Sequence, residues 1–249
     1  MSDSDHHSDP SLNTRVISDH DAHLRALCSL ASCLADWNAG YATHVDNAID
    51  AEMEGDPEID LVRPAFADMC FADVAQSLAF ITTTAAFVES FFKECLPVMG
   101  KKFTGSYQRD QVRFQRYGES VSSFWDPTKP TTKGDKMATM ICEILEGSGL
   151  MRCMVPNFTQ VLDAIFKYRN QMIHSGFEWP LKERQRFARM IRDENWTQWF
   201  HVSTVGDEPW FFTVTPDFRK ACLDLCHQSV RAFAELDRRD REGPRKYFK

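Results

Sequence analysis

The sequence contains no uninterrupted apolar run close to the roughly 18 residues that a membrane helix needs. Residues 1–9 are acidic and polar, whereas a secretory signal is basic and then apolar. None of the eight cysteines forms a Cys-x-x-Cys pair, and most lie within apolar helical patterns, which is typical of reduced core residues. These absences predict a soluble, cytoplasmic protein that does not bind membranes.

The sequence also lacks the motifs of several enzyme classes. It has no phosphate-binding loop, no Gly-x-Ser doublet followed by Asp-x-Asp, and no Cys–His pair near a nucleophile elbow. Cys222 and Cys226 lie four residues apart, but His227 is the only further ligand nearby, so we assign no metal and no cofactor. Candidate functional residues must therefore be sought where single side chains break the apolar pattern.

The charge of this otherwise ordinary globular composition is unevenly distributed along the 249 residues. Residues 1–60 hold 13 Asp and Glu against two Arg, whereas residues 101–192 hold 16 Lys and Arg against nine acids. A polyanion would be repelled by the first region and attracted to the second.

Apolar residues recur at three- and four-residue steps along most of the chain, which predicts a mainly α, antiparallel helical bundle. We predict a disordered acidic tail over 1–15, a long acidic helix over 16–55 and a helical domain over 56–249. Two runs rich in aromatic and β-branched residues flank Gly206-Asp207-Glu208-Pro209 and predict a small β-hairpin at about 199–214, before the last helix.

Two helices carry predictions that the structure can test in detail. The long acidic helix has an apolar stripe that runs from Leu24 through Trp37 to Ile49. The second helix is expected to end near Leu96, where Pro97 and Gly100 interrupt its pattern.

The helix predicted over 157–174 contains polar residues that disturb its apolar stripe. On a helical wheel Arg169 falls near the middle of an arc formed by Phe158, Leu162, Ile165, Phe166 and Ile173. A guanidinium cannot lose its proton and is costly to bury alone, so Arg169 must meet a carboxylate, an interface or a phosphate-sized ligand. Asn170 and His174 lie four residues apart on the flank of this arc, so three polar groups converge at its edge.

The segment Tyr168-Arg169-Asn170-Gln171-Met172-Ile173-His174-Ser175-Gly176 resembles the signature of the HEPN family of helical nucleases, in which Arg is followed by a polar residue and, after a short spacer, by His. The resemblance is most specific over about ten residues and extends more weakly to the helical order from about residue 64 to 240. Glu89 and Lys93 resemble the Glu-x-x-x-Lys pairing on an earlier helix of some members. The acidic first helix and the hairpin depart from the family pattern.

The resemblance implies a HEPN-like bundle and a metal-independent endoribonuclease that leaves 2′,3′-cyclic phosphate and 5′-hydroxyl ends on tRNA or mRNA. Arg169, Asn170 and His174 would be catalytic, with Glu89 and Lys93 in support. Family members typically pair, which implies a homodimer with a composite active site. They act as toxins or in phage defence, which implies an antitoxin or regulatory protein as a partner.

Basic residues outside the motif are candidates for salt-dependent contacts with the RNA backbone. The residues near the motif are Lys167, Arg184, Arg186 and Arg189, and those in an aromatic stretch are Arg109, Arg113 and Arg116. A charge run of this kind is also typical of a solvated helix face.

The spacing of the motif decides little by itself. With 18 Arg and eight His, a bare Arg-x-x-x-x-His is expected roughly 0.6 times by chance. Arg15 and His20 have the same spacing in the acidic N-terminal region, where His20 is expected to be exposed.

Three other hypotheses stay open. Arg169 could form a buried ion pair, for example with Glu89, while His174 caps the helix end. The protein could be a non-catalytic HEPN scaffold that binds RNA or a protein partner. The acidic region up to residue 60 could also mask the basic middle of the chain or form a partner surface.

Overall fold

The computed structural model describes residues 11–54, 62–103, 137–147 and 150–241. These residues form six α-helices, a short 3-10 turn at Met151–Cys153 and one two-stranded sheet. The elements are α1 (Ser11–Glu54), α2 (Val62–Phe103), α3 (Met137–Gly147), α4 (Phe158–Ser175), α5 (Leu181–Asp193), β1 (Phe200–Val205), β2 (Glu208–Val214) and α6 (Pro216–Arg241). The predictions of a mainly α fold and of a hairpin before the last helix are confirmed.

The chain divides into two compact units. The first contains residues 1–25, 87–155 and 226–249, and the second contains residues 26–86 and 156–225. Of the predicted disordered tail over 1–15, residues 11–15 belong to helix α1, and residues 1–10 lie outside the described residues. The predicted domain boundary at residue 56 stays a prediction.

The first unit has a core of aromatic side chains. Phe91 lies with its ring 5.8 Å from that of Phe87 and 5.1 Å from that of Phe233. His20 is 4% exposed, lies edge-on to Phe87 and Phe91, and places its Nε2 3.2 Å from Oε2 of Glu94. The expectation that His20 is exposed is therefore wrong, because aromatic rings and a carboxylate from a distant part of the sequence cover its imidazole.

The second unit is built around the hairpin. Gly206, at φ +60°, and Asp207 form a two-residue turn, so that Val205 pairs with Glu208 and Phe200 pairs with Val214. The Oγ of Ser77 accepts a hydrogen bond from the backbone N–H of Val214 at 3.0 Å, which ties the sheet to α2. Phe200, Phe212 and Val214 are buried, so one face of the sheet belongs to the core.

Two predicted helix signals fail. α2 continues past Pro97 and Gly100 to Phe103, so these residues do not end it. In the sequence, Asn157 followed three residues later by Gln160 also resembles a capping box, but Asn157, at the N-cap of α4, makes no side-chain capping hydrogen bond.

α2 is long and apolar enough over Ala65–Cys95 to cross a membrane by length and composition. Half of its most apolar 18-residue window is buried, which also fits the core helix of a soluble protein. The sequence shows no uninterrupted run here because Asp68, Asp73 and Glu89 divide the apolar residues. Location in the cell stays a prediction.

The predicted apolar stripe of α1 is only partly buried. Leu24, Leu27 and Leu34 belong to the core, whereas Trp37 is 60% exposed and Ile49 is 39% exposed. The spacing of apolar residues therefore predicted the α1 helix correctly. It overestimated the length over which other residues bury the apolar stripe of this helix.

Candidate functional site

The candidate motif occupies the last two turns of α4. In these turns Tyr168 and Met172 are buried, while Arg169 is half-buried and Asn170 and His174 are exposed. Ile173 is 54% exposed, so its predicted place in the buried stripe is wrong. The buried face turns toward Tyr168 and Met172, which leaves Arg169 at its edge and the other polar residues of the motif toward solvent.

The polar side chains of the motif are close neighbours along the helix surface. The Nη1 of Arg169 donates a hydrogen bond to Oδ1 of Asn170 at 3.4 Å. His174 lies four residues beyond Asn170, one turn further along the same side of the helix. A guanidinium, an amide and an imidazole are thus presented together at one end of α4.

A rigid backbone turn ends the helix directly after the motif. Gly176 has φ +69°, a conformation that favours glycine, and its N–H donates to the carbonyl of Met172 at 2.9 Å. The Nε1 of Trp179 donates to the carbonyl of Gly176 at 2.8 Å. The position of His174 relative to the core is therefore fixed by its neighbours on both sides.

Aromatic packing holds this end of α4 in place. The Trp179 ring stacks on Phe212 at 4.9 Å and meets Phe187 edge-on at 5.2 Å. Tyr168 donates its hydroxyl to the carbonyl of Phe212 at 2.7 Å. Burial raises the pKa of the Tyr168 phenol, and its hydrogen bond with Ser77 offsets only part of this effect, so the hydroxyl stays a hydrogen-bond donor.

Apolar side chains are exposed beside the motif. Ile173 is 54% exposed, Phe177 is 39% exposed and Leu181 is 42% exposed. All three lie within the 13 residues from Arg169 to Leu181, which form the end of α4 and the turn into α5. We call these three residues the apolar rim.

Lys167, predicted to contact RNA, is committed to neighbouring side chains. Its Nζ lies 2.6 Å from Oδ2 of Asp163, 3.3 Å from Oε1 of Glu194 and 5.1 Å from the ring centre of Trp196. Burial by itself would lower the pKa of Lys167, but the two carboxylates outweigh burial and raise it. These contacts favour a structural role for Lys167, and its contact with RNA stays a prediction.

The other predicted RNA contacts near the motif differ in exposure. Arg184 is half-buried and donates to the carbonyl of Pro209 at 3.0 Å, which links α5 to β2. Arg186 is exposed and contacts Glu183 at 3.0 Å and Oε1 of Gln171 at 3.3 Å. Arg189 is exposed on α5.

Sequence reasoning missed two cations on the same helix. Lys182 and Arg192 are exposed and continue the line of Arg186 and Arg189 at three- and four-residue steps. The opposite side of α5 buries Phe187 and Ile191. The signal was present in the sequence, because the apolar pair predicts which cations face solvent. We call Lys182, Arg186, Arg189 and Arg192 the α5 basic face.

The remaining candidates do not lie in this part of the described chain. Glu89 is half-buried and Lys93 is exposed, four residues apart on α2 within the first unit, whereas the motif belongs to the second unit. Arg109, Arg113 and Arg116 lie outside the described residues. Within 11–54, 62–103, 137–147 and 150–241, no group of three or more His, Cys, Asp or Glu side chains could hold a metal ion.

The arrangement at the end of α4 combines three chemical capacities. An imidazole can accept or donate a proton near neutral pH, a guanidinium can bind two oxygens of a phosphate, and an amide can orient either group. Comparison of the chain with protein-family models, with curated proteins and with solved structures gives no match. The candidate function therefore depends on the motif and its geometry.

Proposed function

We propose that the protein is a metal-independent endoribonuclease with a HEPN-like fold, in which Arg169, Asn170 and His174 are catalytic. The observation that carries this proposal is the hydrogen bond of Arg169 to Asn170 at 3.4 Å, one helical turn from an exposed His174. A phosphate approaching this end of α4 could meet all three groups. The resemblance of the motif to the HEPN signature supplies the reaction type.

In the proposed reaction the ribose 2′-oxygen attacks the adjacent phosphorus while the bond from phosphorus to the 5′-oxygen breaks. The 2′-hydroxyl loses a proton, the leaving 5′-oxygen gains one, and the products carry a 2′,3′-cyclic phosphate and a 5′-hydroxyl. His174 serves as the acid or the base in these transfers. Arg169 neutralises the negative charge on the phosphoryl oxygens, and Asn170 orients the imidazole or the phosphate.

The apolar rim supports the proposal that two copies form one active site. Removing Ile173, Phe177 and Leu181 from water favours association, because exposed apolar area beside a site is typical of an interface. A two-fold contact through the rim brings two motifs to one cleft. One His174 then acts as the base and the other as the acid.

The α5 basic face is the proposed track for the RNA backbone. Its cations attract phosphates without reading the base sequence, so binding weakens as salt concentration rises. Arg109, Arg113 and Arg116 remain proposed contacts from a segment outside the described residues. Glu89 and Lys93 remain proposed supporting residues.

The proposed biological role is that of a cytoplasmic toxin or an anti-phage effector, regulated by an antitoxin or another protein. The second candidate is a HEPN scaffold that binds RNA without cutting it. The exposed cations of α5 favour either role, because both require affinity for RNA. Only the nuclease requires the imidazole of His174.

The deciding experiment incubates the purified chain with total RNA and with tRNA in the presence of EDTA, and maps the ends of the products. We expect 2′,3′-cyclic phosphate and 5′-hydroxyl ends. His174→Ala should reduce cleavage by about 10² to 10⁴-fold, the usual contribution of an acid–base group. His201→Ala, which removes an exposed histidine of β1, is the matched control and should cleave normally.

Two results would decide against the nuclease. Binding of RNA without cleavage would favour the scaffold, and cleavage that EDTA abolishes would contradict the metal-independent mechanism. For the dimer, Ile173→Asp together with Phe177→Asp should give a monomer by sedimentation and remove cleavage. A monomeric double variant that still cleaves would refute the composite site while leaving the catalytic residues in place.

A further inference from the structure

The C-terminal five turns of α1 expose most of their described side chains. Among the residues from Ala35 to Met53 whose side chains are described, none is buried, and all except Ala48 are exposed. Gly40 has nothing within 4 Å of the position that a Cβ would take. We call residues 35–54 the α1 arm. Most helices in proteins are stabilised by burying one face against other residues, but none of the described side chains from Asp46 to Met53 is buried.

The arm exposes large apolar side chains at regular steps. Met53 is 82% exposed, Trp37 is 60% exposed and Ile49 is 39% exposed. Ile49 and Met53 lie one four-residue step apart on the helix. Residues at four-residue steps form a ridge that is inclined to the helix axis and can enter the groove of a second helix. The spacing therefore fits a helical partner.

The charges of the arm define the partner's chemistry. Residues 26–62 contain eight Asp and Glu and no Lys or Arg. Asp46 lies three residues from Ile49, and Asp50 lies three residues from Met53, so a carboxylate borders each of these two apolar side chains. α1 also has no basic residue in its last turn, where the negative end of the helix dipole would favour one. A cationic partner would relieve this unfavourable electrostatic arrangement.

Three other occupants are disfavoured by the same charges. RNA and an anionic lipid surface are repelled by carboxylates that no Lys or Arg of residues 26–62 neutralises. The same arm of a second copy carries the same negative charge, so a two-fold contact between arms places like charges opposite each other. A polypeptide with Lys or Arg around apolar anchors satisfies both the ridge and its acidic border.

We propose that the α1 arm is a docking site for a basic amphipathic helix of another protein. Ile49 and Met53 are the apolar anchors, and Asp46 and Asp50 pair with the partner's cations. Apolar contact supplies the affinity, and the complementary charges supply selectivity and a dependence on salt. This inference concerns a different part of α1 from the buried His20 and is independent of whether the protein cleaves RNA.

The test uses the full chain and a synthetic helical peptide of about 20 residues, long enough to form a helix on binding. Its leucines are placed at four-residue steps and its remaining positions are lysine and alanine. Titration with a fluorescent label should give a Kd on the order of 10 μM that weakens as salt increases. A peptide with glutamate in place of lysine should not bind.

Variants of the arm locate the contact. Ile49→Ala with Met53→Ala should weaken binding by about tenfold, and Asp46→Asn with Asp50→Asn should weaken it by about fivefold and reduce its salt dependence. All four substitutions affect exposed positions, and circular dichroism checks that helix content is kept. Val205→Ala, which removes an apolar side chain that is 58% exposed on the hairpin, is the matched control.

Several outcomes would overturn the proposal. The first is no binding of the lysine peptide, and the second is equal binding of the glutamate peptide. The third is an unchanged Kd in both arm variants, or a loss of peptide binding in Val205→Ala as large as the loss in the arm variants. A change from dimer to monomer caused by Ile49→Ala with Met53→Ala would assign the arm to a second copy. Loss of tRNA or phosphatidylserine-vesicle binding in that variant would assign the arm to RNA or to lipid.

Discussion

Two histidines of this chain follow an arginine at the same spacing, yet their surroundings are opposite. His20 is buried in the first unit, edge-on to two phenylalanine rings and 3.2 Å from Glu94. His174 is exposed at the end of α4 in the second unit, one turn from Asn170. The first imidazole is buried among other side chains, whereas the second is accessible to solvent.

The comparison shows what the spacing of a short motif can and cannot say. Arg-x-x-x-x-His sets its two positions five residues apart, about 140° around a helix, and both segments are helical. What differs is the packing around the histidine, which the motif does not encode. A motif therefore becomes a candidate site only where the surrounding fold leaves its reactive atoms accessible.

The most direct test of this difference between the two histidines is to remove each imidazole in turn. We expect His174→Ala to lose cleavage by about 10² to 10⁴-fold with little change in melting temperature. His20→Ala should lose about 1 to 3 kcal/mol of unfolding free energy and should still cleave RNA while folded. End-mapped cleavage and thermal unfolding measure the two effects. Equal losses of cleavage in both variants would remove the distinction.

The next effect concerns the packing that holds His174 at the surface. Trp179 stacks on Phe212 and bonds the carbonyl of Gly176, so Trp179→Ala should cost about 3 to 5 kcal/mol of unfolding free energy. Phe66→Ala, at an exposed aromatic residue of α2 outside the apolar rim, should change it by less than about 0.5 kcal/mol. Denaturant unfolding checks both values. A small effect of Trp179→Ala would mean that the contacts of Trp179 with Phe212 and Gly176 do not hold the end of α4 in place.

The pH dependence of stability tests the environment of the histidines in the first unit. Burial and the nearby His20 lower the pKa of His23. The unfolded chain therefore takes up this proton at a higher pH than the folded chain, so stability falls as pH drops through the ordinary histidine range. The melting temperature should decrease between pH 7.5 and pH 5.5, and His23→Gln should flatten part of that decrease. An undiminished decrease in His23→Gln would contradict the assignment.

The smallest expected effect concerns RNA binding by the cations around the motif. It compares an exposed cation, Arg189, with an ion-paired one, Lys167. Arg189→Gln should weaken RNA binding about threefold and reduce its salt slope by about 0.7, the value for one phosphate contact on a single strand. Lys167→Gln should leave RNA binding nearly unchanged, because Asp163 and Glu194 already engage this side chain. Filter binding at several salt concentrations measures both variants. A larger loss in Lys167→Gln would return that residue to the RNA surface.

Much of the fold was readable from local signals. The three- and four-residue steps of apolar residues predicted the helices, and the aromatic runs around Gly206-Asp207 predicted the hairpin. These signals succeed because helix and hairpin periods are properties of neighbouring residues. The ends of α2 were harder, since Pro97 and Gly100 lie within a helix that continues beyond them.

The candidate site was only partly readable. The wheel placed Arg169 in the middle of a buried stripe, but the real buried face is shifted toward Tyr168 and Met172. That shift depends on Trp179, Phe187 and Phe212, which come from later elements and cannot be inferred from the period of one helix. The ion pairs of Lys167 could not be fully predicted for the same reason, because its second carboxylate partner, Glu194, lies 27 residues away in the sequence.

By itself the sequence determined a mainly helical chain with one hairpin, an acidic beginning, and an Arg-Asn pair followed by His near a helix end. Those properties follow from residues close together in the chain. Only the tertiary structure decided that His20 is covered, that His174 is exposed, and that the stripe of α1 loses its cover after Leu34. Burial is decided by which distant segments meet, and no local period specifies that choice.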